Sequence, residues 1–512
     1  MPFADQGNGT YANPVLLCDY SDPDAIRVGD TYYLTASSFN YTPGLPILTS
    51  KDLVNWTLVN YALQELPGTQ FCIPQHAKGV WAPAIRWHEG WFYIFFGMPD
   101  EGIFMVRTRD PLGPWEAPVC VLAGKGLIDP CPFWDEDGSA WVVHGYAKSR
   151  IGFNSVLGIF PMSVDGMQAT GEDLILFDGH KTQPTIEGPK VYRRDGWIYI
   201  FAPAGGVEKG WQTVLRARTI RGPWEERIVL AQGSSEVNGP HQGAWVDTPD
   251  GQGWFLHFQS RGLYGRIVHL QPMRWLEDGW PFIGMADPKQ TNPYCGMPVA
   301  TWEKPHAPVC ERTRERASDD FNGLLGLQWQ FMANNRPDFY EVGGGKLKLN
   351  AAALPEGGRT LWMCPQVLTQ KISALSLEAR VTLDASHLRC GEQAGLVMIG
   401  GEYAAVIVRM TASGRRICWM TSGQQELCQE IGDAPEQIEL RLSLRQTGYA
   451  AAETHFSWRT PDGAWQSIGE AFAPGRHTWV GARIGLAAMP YDGGSHGGYA
   501  LFGAFEVTEI EA

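Results

Sequence analysis

The chain has no block of basic residues, no CxxC cysteine pair, no long apolar run and no useful stretch of helical apolar periodicity, and each absence removes a class of function. Lys and Arg number 41 against 55 Asp and Glu, a formal net charge of −14. Nucleic acid and anionic membrane surfaces are therefore excluded as partners, which leaves small or neutral solutes. No segment approaches the roughly 20 apolar residues of a membrane helix. The N-terminal stretch Met1-Pro2-Phe3-Ala4-Asp5-Gln6-Gly7 lacks a basic segment followed by an apolar run, so a cytoplasmic protein is expected, or a secreted one whose leader has been removed. The ten cysteines (18, 72, 120, 131, 295, 310, 364, 390, 418 and 428) lie scattered in apolar contexts and read as mostly reduced core residues rather than a disulfide framework. Without a 3.6-residue apolar period, helix content should be low.

What is present points one way. Charged residues are only 19% of the chain, whereas Trp (21), Tyr (17), Phe (22), Gly (60) and Pro (35) are plentiful. Aromatics with many turn formers describe an all-β protein, and aromatic faces also suit the apolar faces of sugars. One pattern recurs at 25–34, 84–95, 132–143, 190–200 and 244–256: an apolar strand, a short acidic or glycine turn, and an aromatic strand. Five such hairpins at intervals of roughly fifty residues predict a five-bladed β-propeller over residues 1–290. Outer-strand echoes at Asp52-Leu53-Val54-Asn55-Trp56, Gly113-Pro114-Trp115 and Gly222-Pro223-Trp224 support that number. Prolines 288, 293, 298, 305 and 308 then give way to Glu311-Arg312-Thr313-Arg314-Glu315-Arg316, read as a surface linker over 291–317. Strict alternation follows, as in Leu375, Leu377, Ala379, Val381 and Leu383 and again in Ile438, Leu440, Leu442 and Leu444. Strands with one wet face make residues 318–512 a β-sandwich of concanavalin A-like or jelly-roll type.

In a propeller the innermost strands converge on the axis, so polar groups at one place in successive blades share a site. Asp22 precedes the first hairpin, Asp129 the third and Glu187 the fourth, each beside or near a proline. Proline 23 fixes its own φ and keeps Asp22 extended. Three carboxylates in phase with the blades cannot all ionise cheaply in one poorly solvated pocket, so one stays protonated near neutral pH. An acid to protonate a leaving oxygen and a base to activate water is the requirement of glycoside hydrolysis.

The runs Asp22-Pro23-Asp24-Ala25-Ile26, Trp81-Ala82-Pro83, Ile128-Asp129-Pro130 and Glu187-Gly188-Pro189 ahead of Tyr192 together resemble glycoside hydrolase family 43. The segment Asp319-Asp320-Phe321-Asn322-Gly323-Leu324, with Leu327-Gln328-Trp329, resembles the C-terminal sandwich of its β-xylosidase and α-L-arabinofuranosidase branch. The resemblance implies an inverting enzyme in which Asp22 is the general base, Glu187 the general acid, and Asp129 raises the pKa of Glu187 and orients it. Inversion needs base and acid separated by roughly 6.5–9.5 Å. Phe39 and Trp81 would wall the terminal-sugar pocket, and Arg266 would hydrogen-bond sugar hydroxyls and steady the carboxylates. His241 would support a calcium ion near the axis, often largely through water, although the family's motif places that histidine where this chain has Gln242. Asp24 is expected as a turn or hydrogen-bonding residue at the blade's edge.

The expected substrates are pentose-containing oligosaccharides, with single xylose or arabinose units removed from non-reducing ends. The long loop Asn40–Pro46, with the sandwich docked on the propeller, would close the funnel into a pocket that admits chain ends. An endo-arabinanase with an open groove is the alternative reading, and a non-catalytic carbohydrate-binding propeller a further one. The two pentoses present similar hydroxyls, so the sequence leaves both open, as it does the oligomeric state.

Overall fold

The structure is a computed structural model that describes residues 3–511 apart from 309, 357, 359, 424, 425 and 495; Met1 and Pro2 of the N-terminal stretch lie outside that set. Each repeated hairpin turns on a glycine with positive φ (Gly29, Gly90, Gly138, Gly196 and Gly251). That conformation matches the twist of two antiparallel strands and is open to glycine without steric cost. Around these turns the first half of the chain forms five sheets whose first four strands are antiparallel and follow chain order: 24–63, 81–123, 127–178, 190–231 and 241–283. Buried aliphatic and aromatic side chains fill the space between neighbouring blades, as where Ile47 and Leu45 of the first blade meet Ile85, Ile94 and Phe96 of the second.

The ring closes through the chain's beginning. Val15 N donates to Val268 O (2.9 Å), Val268 N to Leu16 O (2.9 Å) and Tyr20 N to Arg266 O (3.0 Å), which lays the segment before Asp22 along the third strand of the fifth blade. Part of the expected linker is itself strand. Gly296–Met297 joins the fourth blade's sheet, and Thr301–Glu303 pairs with Thr10–Ala12.

The C-terminal half packs two seven-stranded antiparallel sheets face to face. Leu377, Ala379, Val381 and Leu383 are buried opposite Leu444, Leu442, Leu440 and Ile438, so the alternation read from the sequence is the core face of one sheet. Leu17, Leu263, Tyr264 and Ile267 of the propeller belong to the same apolar cluster and fix the two halves together. The first-blade loop is tied down as well: Thr42 N donates to Phe331 O (3.0 Å) and Asn40 Nδ2 to Met332 O (2.7 Å). Among the described residues the α-helix is a single turn, Lys148–Ile151, and no helix is long and apolar enough to cross a membrane. All ten cysteines are free. Only half are core, since Cys72, Cys120 and Cys390 are exposed and Cys310 and Cys428 partly so.

Candidate active site

Four of the five innermost strands start on a related device, and Asp22 is left-handed there rather than extended as the following proline suggested. Asp22, Asp129, Gly188 and Gln242 have φ of 55°, 56°, 57° and 38°. The first three precede Pro23, Pro130 and Pro189, and the fourth precedes Gly243. At this point the strands Trp81–His88, Leu127–Trp134 and His241–Asp247 also skip register, at Trp81/Ala84, Ile128/Cys131 and His241/Gly243. A left-handed residue at a bulge re-aims its side chain out of the ladder, and such strain persists where the surroundings enforce it. Gly188 is enforced twice, because a Cβ there would also run into the Gln242 side chain at 2.6 Å.

The register corrects one expectation. Asp22 and Asp129 occupy this shared position, but Glu187 lies one residue earlier, at the place held by Ser21, Trp81, Ile128 and His241 in the other blades. The extra methylene of glutamate makes up the offset. Glu187 and His241 therefore start neighbouring strands side by side, with His241 Nε2 2.7 Å from Glu187 Oε1.

The three carboxylates sit in different surroundings. Asp22 is buried, and its Oδ2 accepts hydrogen bonds from Ser21 Oγ (2.8 Å) and Ser37 Oγ (2.6 Å). Arg266 Nη1 donates to Asp22 Oδ1 at 2.8 Å, and that guanidinium is itself buried over the Phe258 ring at 4.6 Å. Arg266 is thus the countercharge of Asp22. Asp129 is buried and accepts from Gly188 N (2.9 Å) and Gln242 Nε2 (3.2 Å). Burial first, then the Glu187 and Asp22 carboxylates, push Asp129 up to about 8. Near neutral pH Asp129 accordingly holds a proton, while Asp22 faces the Arg266 guanidinium. Glu187 is the accessible member, with its side chain 28% exposed, whereas His241 behind it is fully buried.

Aromatic rings wall the approach. Trp479, on a loop of the sandwich, lies edge-on to Trp81 at 4.5 Å and stacks beside Phe39 at 6.4 Å. The same loop closes a cavity of about 350 Å³ against Arg266, Glu208, Val207 and Ser260. Its anchor is Asp19, which accepts from Arg266 N at 2.7 Å and Gly481 N at 2.9 Å. Sequence reasoning missed Trp479, Ser37 and Asp19; Trp479 carries no local signal, since only docking of the two halves brings it here.

Below the acids the axis is plugged. Asp24 is wholly buried there, not at a blade's edge, and its Oδ2 accepts from Ile85 N (2.8 Å) and Arg86 Nη1 (2.7 Å). Arg86 Nη2 reaches Cys131 Sγ at 3.0 Å, and Lys190 Nζ donates to Pro83 O at 2.9 Å.

Calcium takes six to eight oxygen ligands. Among the described residues no three His, Cys, Asp or Glu converge as a cation cage, and His241 gives its Nε2 to Glu187. Its Nδ1 is buried without a partner among the described residues, one nitrogen where calcium needs many oxygens. The residues present do not fit a protein-built calcium site.

Residues 11–281 match the family model described as glycosyl hydrolases family 43, and residues 318–508 match the β-xylosidase C-terminal concanavalin A-like domain. A protein of Xylanibacter ruminicola described as a putative β-xylosidase is 38% identical over 490 residues, 94% of this chain and 87% of its own. A β-xylosidase of Formosa agariphila is 30% identical over 94% of this chain and 88% of its own. A non-reducing end α-L-arabinofuranosidase of Bacteroides ovatus is 28% identical over 86% and 84%. The solved structure of a single-residue mutant of the GH43 protein BlXynB from Bacillus licheniformis superposes with a TM-score of 0.83 at 25% identity, over 98% of this chain and all of that one.

Proposed function

The chain belongs to glycoside hydrolase family 43, and from that premise we propose that it removes single xylose or arabinose units, with inversion, from the non-reducing ends of xylo-oligosaccharides and arabinose-substituted hemicellulose. In this reading Asp22 takes a proton from water as the oxygen attacks the anomeric carbon. Glu187 gives a proton to the departing glycosidic oxygen, so one water is consumed and two hydroxyl ends are produced. Proton return from Asp22 to Glu187 through solvent resets the site. Asp129 is a positioning residue here: it is too deeply buried to reach the leaving oxygen, and by accepting from Gly188 N it holds the backbone next to Glu187 in place.

The observation that carries the reading is the division of labour among the carboxylates. The Asp22 oxygens face Arg266 and two serine hydroxyls, while the accessible Glu187 is backed by His241 and by the protonated Asp129. Exo action is supported by the closed side of the funnel, where the Asn40–Pro46 loop is bonded to the sandwich and Trp479 overhangs Phe39 and Trp81. An open groove, which an endo-arabinanase needs, would have to displace these contacts. The axis also keeps all three acids, against a purely binding role.

The deciding experiment compares rates on the nitrophenyl β-xyloside and the nitrophenyl α-L-arabinofuranoside, for the intact chain and for Asp22→Ala. Hydrolysis of one or both by the intact chain is expected, with a loss of about 10³-fold or more in the variant. Chain-length analysis on linear arabinan should show release of monomers; internal cleavage products would replace this reading with the endo-acting one.

A further inference from the structure

The innermost strands that carry the acids at their beginnings end on the opposite face of the propeller. From Asp22 to Arg27 is five residues, roughly 16 Å of extended chain, and the axis between is filled by Asp24, Arg86, Cys131 and Lys190. Beyond that plug lies a second cavity of about 490 Å³, lined by the far ends of all five innermost strands. None of the three acids lines it. Its volume falls within the range of small-ligand sites.

Its chemistry is particular. Trp87 stands at this cavity 50% exposed. Nearby, His88 and Trp134 stack at 4.5 Å with only 11° between their planes, so the adjoining rings are held fixed. Trp245 and Phe133 continue the aromatic lining. The guanidinium groups are already matched: Arg86 faces Asp24 at 2.7 Å, and Arg193 faces Asp135, with Glu136 at 3.5 Å. Arg27 donates to the Asp247 carbonyl oxygen (2.6 Å) and lies near the Asp247 carboxylate, which accepts from Trp245 Nε1 at 2.7 Å. With every guanidinium facing a carboxylate, the cavity offers an anion no net attraction. It offers a flat ring to stack on and planar groups that donate and accept hydrogen bonds around it. Neutral sugars, with one apolar face and a rim of hydroxyls, need that combination.

We propose that this cavity is a second saccharide-binding site, which holds a neutral pentose oligosaccharide or a segment of a substituted xylan chain on the face of the propeller away from the acids, with Trp87 as the stacking platform. The assignment rests on the reading of the enzyme as a pentosidase for the class of sugar, not for the existence of the site. A chain held there raises the local concentration of chain ends without taking part in hydrolysis.

The test is affinity electrophoresis of the intact chain through gels containing soluble arabinoxylan, for the wild type, Trp87→Ala, Trp87→Phe and Trp479→Ala. The wild type should be retarded. Trp87→Ala should bind roughly tenfold more weakly, Trp87→Phe should keep most of the retardation, and Trp479→Ala should be retarded almost as the wild type is. Because Trp87 is exposed and remote from the acids, kcat/KM of Trp87→Ala on the nitrophenyl xyloside should equal the wild-type value, which also certifies its fold. Equal retardation of Trp87→Ala and wild type overturns the proposal, as does a wild type that is not retarded. Should Trp87→Ala fail to fold, Trp87→Leu, which keeps apolar bulk but has no flat ring, carries the same comparison and should lose retardation as Trp87→Ala would. Failure of the hydrolytic reading shows differently, as absent hydrolysis of aryl pentosides with retardation intact.

Discussion

His241 Nε2 meets Glu187 Oε1 at 2.7 Å because the two residues stand at the entrances of adjacent innermost strands at the same position, one residue ahead of Gln242 and Gly188. The histidine is fully buried while the glutamate is not, so the imidazole acts as a fixed bracket for a side chain that must face substrate. Removing the bracket with His241→Ala should lower kcat about 10- to 100-fold on natural xylo-oligosaccharides and leave KM nearly unchanged. On aryl xylosides with good leaving groups, which need little protonation, the loss should be much smaller. An equal loss on both substrate types would show that His241 does not act through the proton donor. His241→Asn should recover part of the rate.

Asp129 makes a pH prediction whose sign follows from linkage. Its carboxyl is raised from 3.8 to about 8 in the folded chain, first by burial and then by Glu187 and Asp22. Between those values the folded chain keeps a proton that the unfolded chain has released. The stability tied to that proton is full below about pH 4 and is lost as pH rises through about 8. The wild-type melting temperature should therefore fall between pH 6 and 9 more steeply than that of Asp129→Asn, which has no such proton to lose. Wild-type kcat/KM should decline on the alkaline side with a midpoint near pH 8. Parallel melting curves for the two proteins would place the proton elsewhere.

Trp479 completes the aromatic wall from outside the propeller. Its ring packs against Trp81 and Phe39, so Trp479→Ala should raise KM for aryl xyloside and arabinofuranoside roughly tenfold while kcat falls less. Steady-state kinetics on both substrates read this directly. A fall in kcat with KM unchanged would mean that the loop orders the acids rather than the sugar.

The resemblance implies a calcium ion near His241 held largely through water, and among the described residues no cluster of three His, Cys, Asp or Glu adds a cage for it. Dialysis against a chelator should leave both the rate on nitrophenyl xyloside and the melting temperature unchanged. A loss restored by added calcium would reveal an ion held through water near the unpartnered Nδ1 of His241.

Much of this architecture is legible in the sequence for local reasons. The five hairpins announce themselves because each turn needs a left-handed residue between aromatic strands, and the sandwich because one wet face forces strict alternation. Asp22 and Asp129 stand out because an aspartate before proline is repeated at the start of a strand. Glu187 is one position out of phase because side-chain length, which a blade alignment ignores, decides what reaches the axis. Asp24 illustrates the converse. The turn-like sequence around it suggested an edge, but Asp24 opens the innermost strand itself and so lies in the packed axis, while the left-handed Asp22 before it is aimed separately. Trp479 was beyond local reading altogether, because its contact with Trp81 exists only once the sandwich docks.

That docking rests on a close approach that only glycine permits. Gly481 N donates to Asp19 Oδ2 at 2.9 Å, Ala482 N donates to Leu263 O at 2.6 Å, and a Cβ on Gly481 would lie 2.8 Å from Gly265 N and 2.9 Å from Gly265 Cα. Backbone stands on the far side, so a methyl group can be accommodated only by moving the loop away from the propeller. Asp19 would lose one of its two partners, the other being the backbone N of Arg266, the residue that neutralises Asp22. Gly481→Ala should therefore act at two places at once. The melting temperature should drop by several degrees, as a cost of about 1–3 kcal/mol implies for overpacking. The KM for aryl pentosides should also rise, because Trp479 lies two residues from the displaced backbone. A control at Gly475, where a Cβ meets nothing within 4 Å, should change neither quantity. If Gly481→Ala lowers the melting temperature but leaves KM at the wild-type value, the loop supports the sandwich alone and the pocket does not depend on how the two domains meet.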